Sequence, residues 1–257
     1  MKCRAAVLLG LVLATMAMAG PVEELLTQAT TAETGLDSAR ALELYVQADR
    51  IKPDDPAILQ KIARQYSDLV LDQPTLEGKK RYAQTALDYA MRAVALNPRD
   101  PVNVLSLAVC HGKLAVYSDT RTKIRYSRLV KEEAERALVI DPNYAWAHHL
   151  LGRWHHEVAG LGAASRWLVR LFYGGLPDAS HEQAVVHLRR AVELEPDELN
   201  HHLELGFALA AAGDKAGART NWQFGLKLPS RGKHDEASKQ RAREALGTEV
   251  QVRGSGG

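Results

Sequence analysis

The feature that most constrains this 257-residue chain is a hexapeptide that returns four times. Its copies are Ala48-Asp-Arg-Ile-Lys-Pro53, Ala93-Val-Ala-Leu-Asn-Pro98, Ala137-Leu-Val-Ile-Asp-Pro142 and Ala191-Val-Glu-Leu-Glu-Pro196. Each keeps a small residue, an aliphatic residue three positions on, and a proline after that. Alanine lets one helix approach another closely, the aliphatic residue covers the same face one turn later, and proline cannot continue the helix. Every copy therefore marks the end of a helix. The preceding turns agree, because Ala41 and Tyr45, Ala86 and Ala90, Val130 and Ala134, Ala184 and Leu188 precede each alanine by seven and three positions. Those positions form one helical face.

These offsets resemble the second helix of the tetratricopeptide repeat. The first helices are similar too: Leu59, Ile62-Ala63 and Tyr66, then Val104, Leu107-Ala108 and His111, with the Leu-Gly pairs Leu151-Gly152 and Leu205-Gly206 in later units. The resemblance implies an all-α, helical-hairpin solenoid of about five units, at 22–54, 55–99, 100–143, 144–197 and 198–230. A charged capping helix is expected from Asp235 to Leu246, so that the repeat domain spans 20–246, with 247–257 as a disordered tail. Units must stack because one hairpin cannot bury its own apolar stripe. The fifth unit departs from the pattern, with Gly225 at the alanine position and Pro229 soon after.

The spacings from Pro53 to Pro98, Pro98 to Pro142 and, most of all, Pro142 to Pro196 exceed the roughly 34 residues of a plain unit. The surplus falls between the two helices of each hairpin, at Leu71–Lys80, Val116–Arg125 and Gly160–Ser180, where it either lengthens helices or forms loops. In the third insertion, Trp167, Leu168, Leu171 and Phe172 share a helical face flanked by Arg166 and Arg170. Such a segment either packs on the solenoid, or acts as a lid over its groove or a peripheral contact with a membrane surface.

The stretch Ala145-Trp-Ala-His-His-Leu-Leu-Gly-Arg-Trp-His-His-Glu-Val-Ala-Gly-Leu161, continuing through Leu171-Phe172 and Gly174-Gly-Leu-Pro177 to Glu182-Gln-Ala184, resembles the regulator of microtubule dynamics family. Gly112-Lys-Leu-Ala115 to Lys131-Glu132 is similar as well. The resemblance implies a helical repeat domain associated with microtubules and organelle-membrane contacts, and, in one branch, phospholipid binding.

The N-terminus reads differently. Lys2 and Arg4 precede an apolar run from Ala5 to Ala19 that ends Ala17-Met18-Ala19, the layout of a secretory signal peptide at 1–19. An exported protein, periplasmic or secreted, is therefore expected, which would keep it from cytosolic microtubules. The net charge is +2, and removing Lys2 and Arg4 would leave acidic and basic residues equal in number. A neutral chain lacks the basic excess of a nucleic-acid binder, so no nucleic-acid partner is expected. Past the leader only Cys110 remains, on an apolar stretch where a small core residue is expected.

Catalytic signatures are missing. His148, His149, His155 and His156 lack the three- or four-residue spacing of a helical metal site, although His201 and His202 could approach them from the next unit. Neither His156-Glu157 nor His181-Glu182 is followed by a second histidine at zinc-protease spacing, and Gly160-Leu-Gly162 is not a phosphate loop. No enzyme, metal or cofactor is expected. The resemblance to tetratricopeptide solenoids instead places a binding groove along the first helices, lined by Gln60, Arg64, Ser67, Leu105, Val109, Trp146, His149, Arg153, His156 and Phe207. That lining is apolar with basic groups, suited to a protein or peptide partner, or to a phospholipid or acyl ligand, carrying an acidic group. Arg153 could equally pair with Glu157, one turn on.

Overall fold

The computed structural model describes residues 20–254; residues 1–19, on which the signal-peptide expectation falls, and 255–257 lie outside it. Among the described residues all regular structure is helical. Hairpins are formed by α1 (Pro21–Thr34) with α2 (Ser38–Ile51), α3 (Pro56–Asp68) with α4 (Leu76–Leu96), and α5 (Pro101–Val116) with α6 (Thr120–Ile140). The fourth unit is α7 (Ala145–Ala159), an interposed α8 (Ala163–Tyr173) and α9 (His181–Leu194). α10 (Leu199–Ala211) and α11 (Lys215–Gly225) follow, and α12 (Asp235–Gly254) ends the array.

The helices stop and start where the residues require. Pro53, Pro98, Pro142 and Pro196 fall just beyond the ends of α2, α4, α6 and α9. Asp55 and Asp100 then cap the next helices, Asp55 Oδ1 accepting from the amides of Ala57 and Ile58 and Asp100 Oδ1 from that of Val102. In both, proline occupies the first turn, where no amide is needed. Each such cap is worth about 1 kcal/mol.

The hexapeptide alanines, Ala48, Ala93, Ala137 and Ala191, are fully buried, as are Ala41, Ala86, Ala90, Ala134, Ala184 and Leu188 on the same face. Two glycines mark still closer approaches. A Cβ at Gly152 would lie 2.4 Å from Leu188 Cγ, and one at Gly206 would lie 2.3 Å from Trp222 Nε1. Trp222 Nε1 in turn donates to the Leu203 carbonyl at 3.1 Å. Large buried side chains such as Leu59, Ile62 and Leu188 each contribute about 1.5–3 kcal/mol.

From α3 onward the first helices touch one another in sequence, α3 with α5, α5 with α7 and α7 with α10, and α10 touches the capping α12, whereas among the described residues successive second helices do not. An inner layer closer together than the outer one makes the array curve around its first helices. The first two insertions lengthen second helices: α4 and α6 have 21 residues each, against 14 in α2 and α9. The third becomes α8. At the C-terminus α12 runs on to Gly254 rather than ending at Leu246, since nothing after Leu246 stops a helix and Gly247 alone costs only about 1 kcal/mol.

Candidate functional site: a charged channel along the inner helices

The winding brings distant parts of the chain together. Lys233 Nζ, in the segment before α12, lies 2.5 Å from Asp72 Oδ2 just past α3, and His234 Nε2 is 3.9 Å from Asp68 Oδ1. These contacts bridge the second unit to the cap and turn the open concave face into a channel.

Cations from successive inner helices converge there. Arg64 on α3 pairs with Glu33 Oε1 of α1 at 3.0 Å and reaches Asp68 at 4.0 Å. Arg153 on α7 pairs with Glu157 at 2.9 Å and stands 3.8 Å from Glu204 of α10, yet its side chain keeps 41% exposure. Glu204 is held from the other side by Arg241 of α12 at 3.1 Å. Lys113 on α5, between Arg64 and Arg153, has no ion pair among the described residues. Burial pushes its ammonium below the usual lysine range, with Asp68 opposing and Arg153 adding to the shift. Burial likewise raises Asp68, against the fields of Arg64, His234 and Lys113. Apolar surface accompanies the charge, because the open face of α5 consists of Val102, Val109 and Val116.

The residues expected to line the groove differ in exposure. Arg64 and Val109 are exposed, Arg153 is partly so, and Gln60, Trp146, His156 and Phe207 are half-buried. Leu105, Ser67 and His149 are buried and do not line the channel. α5 is flanked by α3, α4, α6 and α7, so only a narrow strip of it stays open and Leu105 packs with Val104, Ala108 and Leu151. Phe207 is committed to Trp222, at 5.2 Å between ring centres, and to Arg241 above its ring. Lys113, Asp68, Glu33 and Glu204 belong to the channel although the pattern of first-helix positions did not single them out.

The histidines form pairs instead of a metal centre. His149 Nδ1 lies 3.0 Å from His201 Nδ1, with Trp146 packed against both rings. His148 Nε2 donates to the Pro142 carbonyl at 3.1 Å, so its Nδ1 carries a lone pair and accepts from His187 Nδ1 at 3.1 Å. Burial lowers His187 and His201 to about 4 and His149 well below the usual histidine value. Among the described residues no group of three or more His, Cys, Asp or Glu could hold a metal ion. Cys110 is buried, and burial pushes its thiol up to about 12, far from a nucleophile.

The third insertion does neither thing expected of it within the solenoid. Among the described helices α8 contacts only α6, a second helix, and lies away from the channel. Nor does its apolar side pack: Trp167, Leu168, Leu171 and Phe172 are exposed, together with Arg166 and Arg170. The reason is positional, as no helix among the described residues flanks α8 on that side.

Comparison with known proteins places the chain. The family described as regulator of microtubule dynamics protein 1-3 matches residues 25–250. Regulator of microtubule dynamics protein 1 of Bos taurus is 26% identical over 185 residues, which are 72% of this chain and 58% of that protein. Protein 3 of Xenopus laevis is 26% identical over 189 residues, 71% of this chain and 41% of that one. The chain thus spans well under two thirds of the length of these relatives. Among solved structures, a thermophilic tetratricopeptide protein of Thermus thermophilus superposes with a TM-score of 0.64 at 20% identity, covering 88% of this chain and 98% of its own. That likeness establishes the fold. The relatives overturn the periplasmic, exported location expected from residues 1–19: they are animal proteins, from cells without a periplasm, named for microtubules. The apolar run that suggested export lies outside the described residues.

Proposed function

Because the chain belongs to the regulator of microtubule dynamics family, we propose that it is a non-catalytic scaffold whose channel holds an extended, acidic segment of a protein or peptide partner. The observation that carries this reading is the succession of Arg64, Lys113 and Arg153 on three inner helices, with Lys113 in no ion pair among the described residues and Arg153 still partly open to solvent. Arginine forks match carboxylates, and a lysine held below its usual range by burial regains solvation when an anion enters beside it. The relatives' name, regulating microtubule dynamics, also calls for a protein partner.

A second reading rests on Val102, Val109 and Val116. An apolar strip beside cations suits a phospholipid or acyl chain with an anionic head. Both readings meet one experiment. Fluorescence anisotropy with a labelled glutamate-rich peptide is expected to show binding that the triple variant Arg64→Ala/Lys113→Ala/Arg153→Ala weakens at least tenfold. Native mass spectrometry of the purified full chain reads out co-purified lipid. A bound acyl lipid with no peptide affinity would replace the first reading by the second, and neither ligand would overturn both.

A further inference from the structure

α8 wears its apolar side outward. Trp167, Leu168, Leu171 and Phe172 are 61%, 47%, 58% and 66% exposed. At 3.6 residues per turn they fall within an arc of about 140°, while Val169 and Tyr173 on the other side are partly covered. A helix that only completes a fold turns its apolar arc toward the core. A contiguous patch of large apolar side chains turned the other way marks a binding face.

The opposite side of α8 carries charge without a counter-charge. Arg166 and Arg170, one turn apart, line a cleft of 600 Å³ with Val158, the return segment 174–179 and Trp167. Neither arginine side chain has an ion pair or hydrogen bond among the described residues, α8 has no acidic residue, and Asp178, which also lines the cleft, is not in ion-pair reach of either. Gly174 and Gly175, at φ of 76° and 84°, reverse the chain after α8 in a conformation that favours glycine. Arg128 of α6 donates to the carbonyls of Tyr173 and Gly175, fixing that reversal while leaving the rest of α8 free of other helices.

We propose that α8 is a membrane-docking element, lying in the plane of an anionic bilayer with Trp167, Leu168, Leu171 and Phe172 in the interfacial zone and Arg166 and Arg170 at the level of the lipid head groups. Aromatic and leucine side chains with arginine and no acid form the composition that binds anionic interfaces, and tryptophan favours that zone. No helix among the described residues is long and apolar enough to cross a membrane, so this contact is in-plane. A second copy of the chain is the weaker occupant. Four half-exposed side chains offer about 400 Å², half of the ~800 Å² per partner that a stable interface buries, and a second α8 brings two more arginines and no carboxylate.

The test is co-sedimentation of the full chain with phosphatidylcholine vesicles, with and without phosphatidylserine. Binding to the phosphatidylserine vesicles is expected, weakened by salt, by about fivefold for each of Arg166→Gln and Arg170→Gln, and abolished in Leu168→Glu/Phe172→Glu with an unchanged thermal melt. The variant Lys80→Gln/Arg81→Gln, which removes two exposed cations of α4 outside both the channel and α8, should sediment as the unchanged chain does, which separates this surface from positive charge in general. No sedimentation with either vesicle, or undiminished sedimentation of Leu168→Glu/Phe172→Glu, overturns the proposal. So does a fall from dimer to monomer mass in that variant, which would assign the face to a second copy.

Discussion

α7 and α8 are neighbours in the chain and share tryptophan, arginine and leucine, although α7 also carries four histidines and a glutamate that α8 lacks. α7 carries Trp146, Trp154, Arg153 and leucines, and α8 carries Trp167, Phe172, Arg166, Arg170 and leucines. Their fates are opposite. α7 lies among α5, α6, α9 and α10, and its Trp154 is buried with Nε1 donating to the Ser127 carbonyl at 2.8 Å, whereas α8 touches α6 alone among the described helices and exposes Trp167. Composition therefore does not decide burial here. The number of helices alongside does, and in a stacked array that number is set by whether an element belongs to the repeat.

The largest break in this comparison comes from truncating matched tryptophans. Trp154→Ala is expected to cost about 3–5 kcal/mol, since it removes a buried ring and leaves a cavity, read as a fall in the urea midpoint. A loss below about 1 kcal/mol would mean that α7 is not the packed element described.

The same contrast explains what could be read from the sequence. The Ala-x-x-aliphatic-x-Pro face was legible because it meets a local steric demand: Ala93 or Ala191 must be small wherever a second helix crosses its neighbour, and proline must end it. Of the residues that the pattern of first-helix positions points to, Arg64 and Val109 stand exposed and Arg153 partly so. α5 and α10 are enclosed on most sides, so their apolar residues lose the clear period that separates an open strip from a core, and nothing in the pattern tells the buried Leu105 from the exposed Val109. Lys113, Asp68 and Glu204 come from three different units and meet only through the superhelical winding. Lys233 and Asp72, 161 residues apart, are the extreme case. For α8 the helix and its apolar arc were legible but not the direction of that arc, which depends on what stands beside it.

A second test sharpens the contrast by pH, because the pair formed by His149 of α7 and His201 of α10 is enclosed where those two units pack. His201 has a fully buried side chain and its pKa is lowered by burial to about 4, against about 6.5 in an unfolded chain. Above pH 6.5 it is neutral in both states and contributes no slope. Between 6.5 and 4 the unfolded chain takes up the proton and the folded chain does not, so stability falls with falling pH, by about 3 kcal/mol from this group alone. His149 adds in the same direction. The double variant His149→Leu/His201→Leu removes both partners of the hydrogen bond together and should flatten that part of the profile at small cost near neutrality. An unchanged slope would show that the pair is not held neutral.

A smaller effect is expected at the closure of the channel. The Asp72–Lys233 pair is partly exposed, with 47% and 22% of the side chains accessible. Asp72→Ala and Lys233→Ala should each cost no more than about 1 kcal/mol, and less in high salt. Because the pair joins the second unit to the cap, a double-mutant cycle should give a coupling that vanishes in high salt. Coupling that survives there would point to packing, not charge, as what closes the superhelix.

The smallest expected effect is the most informative about α8. Trp167→Ala and Phe172→Ala should shift the urea midpoint by the equivalent of less than about 0.5 kcal/mol, since exposed side chains contribute little to folding. The comparison with Trp154 then rests on one residue type at two sites, with chemistry held constant and only the neighbours changed. A cost of about 2 kcal/mol or more at Trp167 would require its ring to be covered in solution, by the solenoid or by a second copy. Measuring that cost at two protein concentrations separates these cases, because self-association makes stability rise with concentration whereas internal packing leaves it fixed. A cost near zero leaves the apolar arc uncovered in the free chain, the condition under which an external surface gains the whole of its burial.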